Sequence, residues 1–204
     1  MQENKSLSKP MKIVVILLGI LLLVFAVIQL FGLYSQHNIE TYSYTIEETY
    51  EEFEIRNYDA TLFTSVKISS SNYKEASSKG FSVLAGYIFG DNDRNEKIAM
   101  TSPVAMSLED STRMYFMVPK KFQKETLPAP NQSGISFTTE PAKRVAAIAF
   151  KGWANDEKIA RYRSALTTAL DKAGISYTNR YYFLGYNAPY EVFGRKNEII
   201  VELP

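Results

Sequence analysis

The chain has no cysteine and a single histidine, His37, among its 204 residues. Without thiols there is no disulfide frame, no thiolate nucleophile and no Cys-based metal site. A lipid anchor built on a lipobox cysteine is excluded as well. One histidine removes His-cluster metal sites and ordinary Ser-His or Cys-His catalysis. Excess charge is missing too: 23 Lys and Arg stand against 22 Asp and Glu, for a net charge of +1. With no basic stripe, nucleic-acid binding has little support. No nucleophile–base pair, Gly-rich phosphate cradle or metal-ligand cluster can be picked out. The chain reads as a binding module rather than an enzyme, with no catalytic or metal-ligating residue assigned.

What the chain does have is one long apolar run. Ile13 to Leu33 is interrupted only by Gly19, Gln29 and Gly32. At 1.5 Å per residue it makes roughly 31 Å of helix, matching a hydrocarbon core of about 30 Å. A cleaved signal peptide would carry a shorter apolar region ending in a small-x-small site. Phe31-Gly32-Leu33-Tyr34-Ser35 offers no such site. The run reads as an uncleaved signal-anchor helix over residues 13–34, after a cytoplasmic tail (1–12) and before a linker (35–41). Lys5, Lys9 and Lys12 precede the span, against Glu3. Beyond it come Glu40, Glu47, Glu48, Glu51, Glu52, Glu54 and Asp59, against Arg56. Basic residues stay cytoplasmic, so the expectation is N-terminus in and residues 42–204 outside.

Those last residues, ~165 in number, suffice for one domain with a real core. Tyr42 to Arg56 reads as an outer strand, with Asn57-Tyr58-Asp59 as a turn. Ala60, Leu62, Thr64, Val66 and Ile68 then share one face of a half-buried strand. Ser69 to Asn72 supplies a helix N-cap. Tyr73, Ser77/Gly80, Phe81, Leu84 and Ile88 follow at helical steps of three and four, and Gly90 ends the helix. Asp91-x-Asp93-x-Asn95 begins like a calcium loop. It lacks the glycine and the bidentate glutamate at the sixth and twelfth positions, where Glu96 and Ser102 stand, and reads as a solvated connection. A strand follows from Ile98, broken at Pro103, and another covers Arg113 to Val118.

Lys120 to Ser133, with Pro128 and Pro130, reads as a loop between halves. Its Asn131-x-Ser133 has the form of a glycosylation acceptor. Val145 to Phe150 is strand. A second capped helix buries Ile159, Tyr162, Leu166, Leu170 and Ala173, and Gly174 stops it. Arg180 to Tyr186 and Glu198 to Leu203 close the chain as strands. The halves repeat strand, capped helix, strand, Pro-broken turn, strand. Alternating strands need a partner layer, and two amphipathic helices provide it. The expected fold is α+β: a pseudo-twofold, distorted antiparallel β-barrel flanked by two helices.

Several segments carry a family likeness. Leu84-Ala85-Gly86-Tyr87-Ile88-Phe89-Gly90 and Glu96-Lys97-Ile98-Ala99-Met100-Thr101-Ser102-Pro103-Val104 resemble the SOUL haem-binding family. So do Tyr58-Asp59-Ala60, Met117-Val118-Pro119, Phe150-Lys151-Gly152-Trp153, Gly185-Tyr186-Asn187-Ala188-Pro189 and Arg195-Lys196-Asn197-Glu198, in family order. The resemblance implies the same distorted barrel, shared with effector-binding domains of some multidrug-responsive regulators. It implies haem or a related tetrapyrrole as ligand, held beside the first helix of the domain. Matching positions are Phe81, Ala85, Met106, Leu108, Tyr182 and Leu184; helical periodicity adds Leu84 and Ile88. Ser78 and Gly86 fall where relatives bear basic residues, leaving Lys79, Arg94 or Lys97 to meet propionates. His37, in the polar Ser35-Gln36-His37-Asn38, reads as a linker residue rather than an iron ligand. The ring would then be held by apolar contact, with Met, Tyr or no side chain on the iron. The alternative is a module of the same fold for another flat hydrophobic molecule or a protein partner. Oligomeric state has no signature in the sequence.

Overall fold

The computed structural model of the chain describes residues 9–36, 39–70, 72–109 and 112–204. It forms two compact units. One consists of helix α1 (Lys9–Gln36) and the segment Ala188–Phe193; the other spans Ile39–Asn187 and Gly194–Pro204. In α1 nearly every described apolar side chain is exposed, and the stretch Lys9–Leu30 is long and apolar enough to cross a membrane.

The larger unit is built on a nine-stranded sheet, every neighbouring pair antiparallel. In chain order its strands are β2 (Tyr44–Thr49), β3 (Glu54–Tyr58), β4 (Thr61–Lys67), β6 (Val104–Ser107), β7 (Arg113–Met117), β8 (Ile135–Glu140), β9 (Lys143–Lys151), β10 (Tyr181–Gly185) and β11 (Lys196–Glu202). Two short strands, β1 (Glu40–Thr41) and β5 (Thr101–Ser102), pair in parallel beside it. Across the sheet the order is β2-β3-β9-β11-β10-β6-β7-β4-β8. Helix α2 (Tyr73–Ile88) lies between β4 and β6 in the chain, and α3 (Asp156–Ala173) between β9 and β10. Each half is therefore strand, helix, strand, strand. The blocks β9-β11-β10 and β6-β7-β4 meet at the central β10–β6 pair, so the internal repeat appears as a pseudo-twofold in the strand order. This is the expected α+β architecture, with the sheet curled into a half-barrel.

The helices start and stop where side chains can satisfy their ends. Asn72 Oδ1 accepts from Glu75 N at 2.8 Å, and Asn155 Oδ1 from Lys158 N at 2.8 Å. These are N-cap bonds to otherwise orphaned amides. Gly174, at φ +68°, takes the left-handed position that ends α3.

Strand alternation divides the apolar residues into two layers. Toward the helices lie Ala146, Ile148, Phe183, Ile199 and Val201, packed with Leu84, Ile88, Leu166 and Leu170. The other face carries Tyr42, Tyr58, Phe63, Ala105, Met117, Val145, Ala147, Tyr182, Leu184 and Ile200.

Three local expectations are corrected. Tyr42 to Arg56 is not one strand but most of the β2–β3 hairpin, turning at Glu51-Glu52. Tyr50 N bonds Phe53 O at 2.8 Å, and the two rings stack 4.3 Å apart, closing the turn. Tyr58 accordingly ends β3 rather than sitting in a turn. Ile98 to Met100 is irregular, and pairing resumes only at Thr101. Strand β8 was not expected. It is a sheet-edge strand rich in Ser and Thr that pairs, among the described residues, with β4 alone, so it carries little apolar alternation.

Candidate functional site

The N-terminal turn of α2, the middle of α3 and the end of β6 border an open cavity of about 520 Å³. That lies within the range of small-molecule sites, roughly 300–1,000 Å³. Met106, Ala76 and Ile159 give it a buried apolar floor, and Leu108 and Tyr73 are half-buried walls. Around them stand the polar groups of Arg163, Thr167, Thr168, Asn72, Glu109 and Asp156.

Its frame is fixed by contacts between the elements. Asp156 Oδ1 accepts a 2.7 Å bond from Tyr73 N, so the first residue of α3 caps the first turn of α2. The Tyr73 ring meets Phe183 edge-on at 5.1 Å, and burial raises its phenolic pKa. The Arg163 guanidinium lies 4.2 Å over the Tyr181 ring, whose hydroxyl shares a 3.1 Å hydrogen bond with Thr167. A cation over an aromatic face keeps its charge while the ring holds it in place.

The positions implied by sequence do not all come together here. Met106 and Leu108 line the cavity. Leu84, Ala85 and Ile88 are buried in the layer between α2 and the sheet, and half-buried Phe81 meets Phe116 at 5.4 Å. Tyr182 and Leu184 lie in the other apolar layer, across the sheet from α2. The β10 residues on the helix side are Tyr181 and Phe183, and Phe183 is the cross-strand partner of Met106. Sequence reasoning missed Tyr73, Ala76, Arg163, Thr167 and Thr168 as lining residues. Tyr73 and Ile159 carried a signal as members of the helical stripes, but nothing in the sequence brings the two helices together. Lys79, Arg94 and Lys97 do not line the cavity, and Lys79 pairs with Glu75 at 2.5 Å. His37 lies outside the described residues.

A second concentration of charge sits on the opposite face. Glu198, with no exposed surface, accepts from Arg56 at 2.9 and 3.1 Å, from the Tyr186 hydroxyl at 2.6 Å, and pairs with Lys196 at 2.9 Å. Burial opposes its charge, but these donors outweigh it and hold its pKa below the usual carboxylate value. Burial and the Glu198 charge push the Tyr186 phenol far up; the same causes, in the same order, lift Tyr58 to about 12. Shifted groups often mark functional sites, yet structural ion networks shift them as well. With its donors paired in place, Glu198 serves to hold β3 to β11.

Asp91 and Asp93 are occupied with the chain itself. Asp91 accepts from the Asn131 and Gln132 amides, and Asp93 from Ala129 N. Buried Asn92 braces the turn through Tyr87 O, Glu96 O and the Arg94 and Glu96 amides. Among the described residues no group of three or more His, Cys, Asp or Glu could hold a metal ion.

Comparison with known proteins adds to this geometry. The family model described as SOUL heme-binding protein matches residues 39–202. "Heme-binding protein 1" of Xenopus laevis is 28% identical over 156 residues, covering 72% of this chain and 81% of that protein. "Heme-binding protein 2" of Homo sapiens is 28% identical over 155 residues, covering 72% and 76%. Among solved structures the EcmrR C-terminal domain aligns at a TM-score of 0.60 and 11% identity, covering 75% of this chain and 97% of that domain. A Listeria innocua protein described as a hydrolase aligns at 0.54 and 7% identity, over 78% and 94%. At such identities these two speak for the fold alone.

Proposed function

The chain belongs to the SOUL haem-binding family, and from that premise we propose that it binds haem or a related tetrapyrrole in the cavity between α2 and α3, as a binding module anchored to a membrane by α1. The observation that carries this reading is the composition of that cavity: a buried apolar floor beside a single arginine.

The residues present fit such a ligand. Met106, Ala76, Ile159 and Leu108 offer surface to the ring faces, and burying apolar area is the main source of affinity when no strong axial bond is available. Arg163, with Thr167 and Thr168 beside it, is the group to meet the propionates, since a guanidinium pairs well with carboxylates. Glu109 and Asp156 repel carboxylates, so the acidic edge of the ligand belongs at Arg163, half-way along α3 and away from its first turn. Bound haem supplies an iron whose usual protein ligands include Met, Tyr and His; of the lining residues Met106 and Tyr73 have such donors. Leu84, Ala85, Ile88 and Phe81 support the wall from behind, and Tyr182 and Leu184 take no part.

Haemin titration of the full chain in detergent, followed by Soret absorbance, tests the proposal. Saturable binding at micromolar haemin is expected; no spectral change at tens of micromolar overturns it. The two carboxylates of the cavity favour one other ligand class, a flat hydrophobic cation, which would protect the chain against thermal unfolding where haemin does not.

For the anchor, the lysines before the apolar run and the glutamates after it support a domain outside the cytoplasm. Protease added to intact cells without an outer barrier, or to spheroplasts, should then remove residues beyond α1. Digestion only after lysis reverses that orientation.

A further inference from the structure

We propose that the segment Ala188–Phe193 is a second membrane contact, seated in the lipid interface at the C-terminal end of α1. This rests on the reading that α1 spans the bilayer.

Gln29 is the one strongly polar side chain inside the apolar run of α1. A bare primary amide in hydrocarbon is costly. Here both its ends are matched by the segment's backbone. Gln29 Nε2 donates to Tyr190 O at 2.9 Å, and its Oε1 accepts from Val192 N at 3.0 Å. Three residues on, Gly32 is buried while most of the helix is exposed. A Cβ there would come within 3.0 Å of Glu191 Cγ and 3.5 Å of the Tyr190 ring. Four residues before Gln29, the Phe25 ring meets Phe193 edge-on at 6.4 Å. Positions 25, 29 and 32 are spaced by four and three, so they share one face of the helix. The segment therefore lies along α1, and the face that receives it bears the polar residue and the close-approach glycine.

Its height along α1 identifies the occupant of its outer surface. Counting back from Leu33, Gln29 is about 6 Å and Phe25 about 12 Å inside the apolar run at 1.5 Å per residue. A segment packed there starts at the headgroup–acyl boundary and reaches into the outer acyl region, the depth of an interfacial segment. The side chains it turns outward suit that level: Phe193 is 63% exposed, Tyr190 48% and Val192 41%. Tyrosine rings concentrate at this boundary, and Tyr190 is one. Glu191 packs over Gly32, nearest the aqueous end, and is buried there. An exposed Tyr-x-Val-Phe cluster is a liability in water and a contact in lipid.

The test uses the full chain in phosphatidylcholine vesicles with dibrominated acyl chains, on a Trp153→Phe background that removes the only native tryptophan. Phe193→Trp should show blue-shifted emission quenched at least twofold by shallow bromines. Adding Gln29→Ala should relieve most of that quenching. Leu22→Trp, on α1 alone, reports the span itself. If Leu22→Trp is quenched and Phe193→Trp is neither shifted nor quenched, the segment lies in water and the proposal is overturned while the anchor stands. If Leu22→Trp is not quenched either, the anchor reading fails and takes this proposal with it.

Discussion

Arg56 on β3 grips Glu198 on β11 through two hydrogen bonds, 2.9 and 3.1 Å long, reaching across the intervening strand β9. Glu54 accepts a third bond from the same guanidinium at 2.7 Å, and the Tyr44 ring lies 4.4 Å from it. Removing one partner leaves a buried charge unpaired, which typically costs about 3–5 kcal/mol. Arg56→Met and Glu198→Gln should therefore each lower unfolding free energy by roughly that amount in urea. The double variant Arg56→Met/Glu198→Gln should cost less than the sum, with a coupling of about 1 kcal/mol or more. Additive losses would show that the pair does not act as a unit.

The same cluster makes stability depend on pH at both ends. The folded-state pKa of Glu198 is below its ordinary value of 4.5, so the unfolded chain binds its proton first as pH falls. Its contribution is present above about pH 4.5 and is lost progressively on acidification. Tyr58, at about 12, and Tyr186 are raised above the ordinary value of 10. Between pH 10 and 12 the unfolded chain gives up phenolic protons that the folded chain keeps, so stability falls as pH rises. Denaturation midpoints measured from pH 3 to 11 should show a plateau with a decline on each side. Tyr186→Phe should make the alkaline decline shallower; an unchanged alkaline limb would remove Tyr186 from it.

Leu84 on α2 and Leu166 on α3 have no exposed surface and belong to one continuous core. Truncating either to alanine should cost about 2–5 kcal/mol, the spread reflecting how far the site can collapse. A loss below about 1 kcal/mol at either position would mean that its helix does not close the sheet.

How much of this was readable beforehand differs from element to element. The helices announced themselves, because Asn72, Asn155 and Gly174 are local signals whose partners lie within a few residues. The half-repeat was visible because each half carries the same succession of elements. The facing of β10 was not. Tyr181-Tyr182-Phe183-Leu184 is apolar at every position, so alternation gives no parity and a one-residue shift exchanges the faces. Pairing of Phe183 with Met106 decides it, and that contact spans 77 positions of chain. The same holds for the cavity. Arg163 and Thr167 stand on the polar side of α3 by periodicity, and they become lining residues only because Asp156 caps α2.

The ligand reading can be tested without disturbing the core, because α3 presents Ala160 to the cavity from an exposed position. Ala160→Trp should fill the mouth with an indole, leave the unfolding midpoint nearly unchanged, and weaken haemin binding at least tenfold. Apolar contact without a strong axial bond sets the scale of the wild type. At about 25 cal/mol per Å² the ring faces supply the drive, and association entropy with propionate desolvation takes back much of it. A dissociation constant in the micromolar range, about −8 kcal/mol, is the expected balance. Arg163→Gln removes the guanidinium while keeping an amide of similar reach, and should raise the dissociation constant several-fold at low salt and less at high salt. His37→Ala should change neither the Soret position nor the affinity. Loss of the Soret shift on that substitution would assign the iron to the linker histidine and end the reading of a ring held by its faces. Full binding by Ala160→Trp would place the ligand elsewhere on the domain.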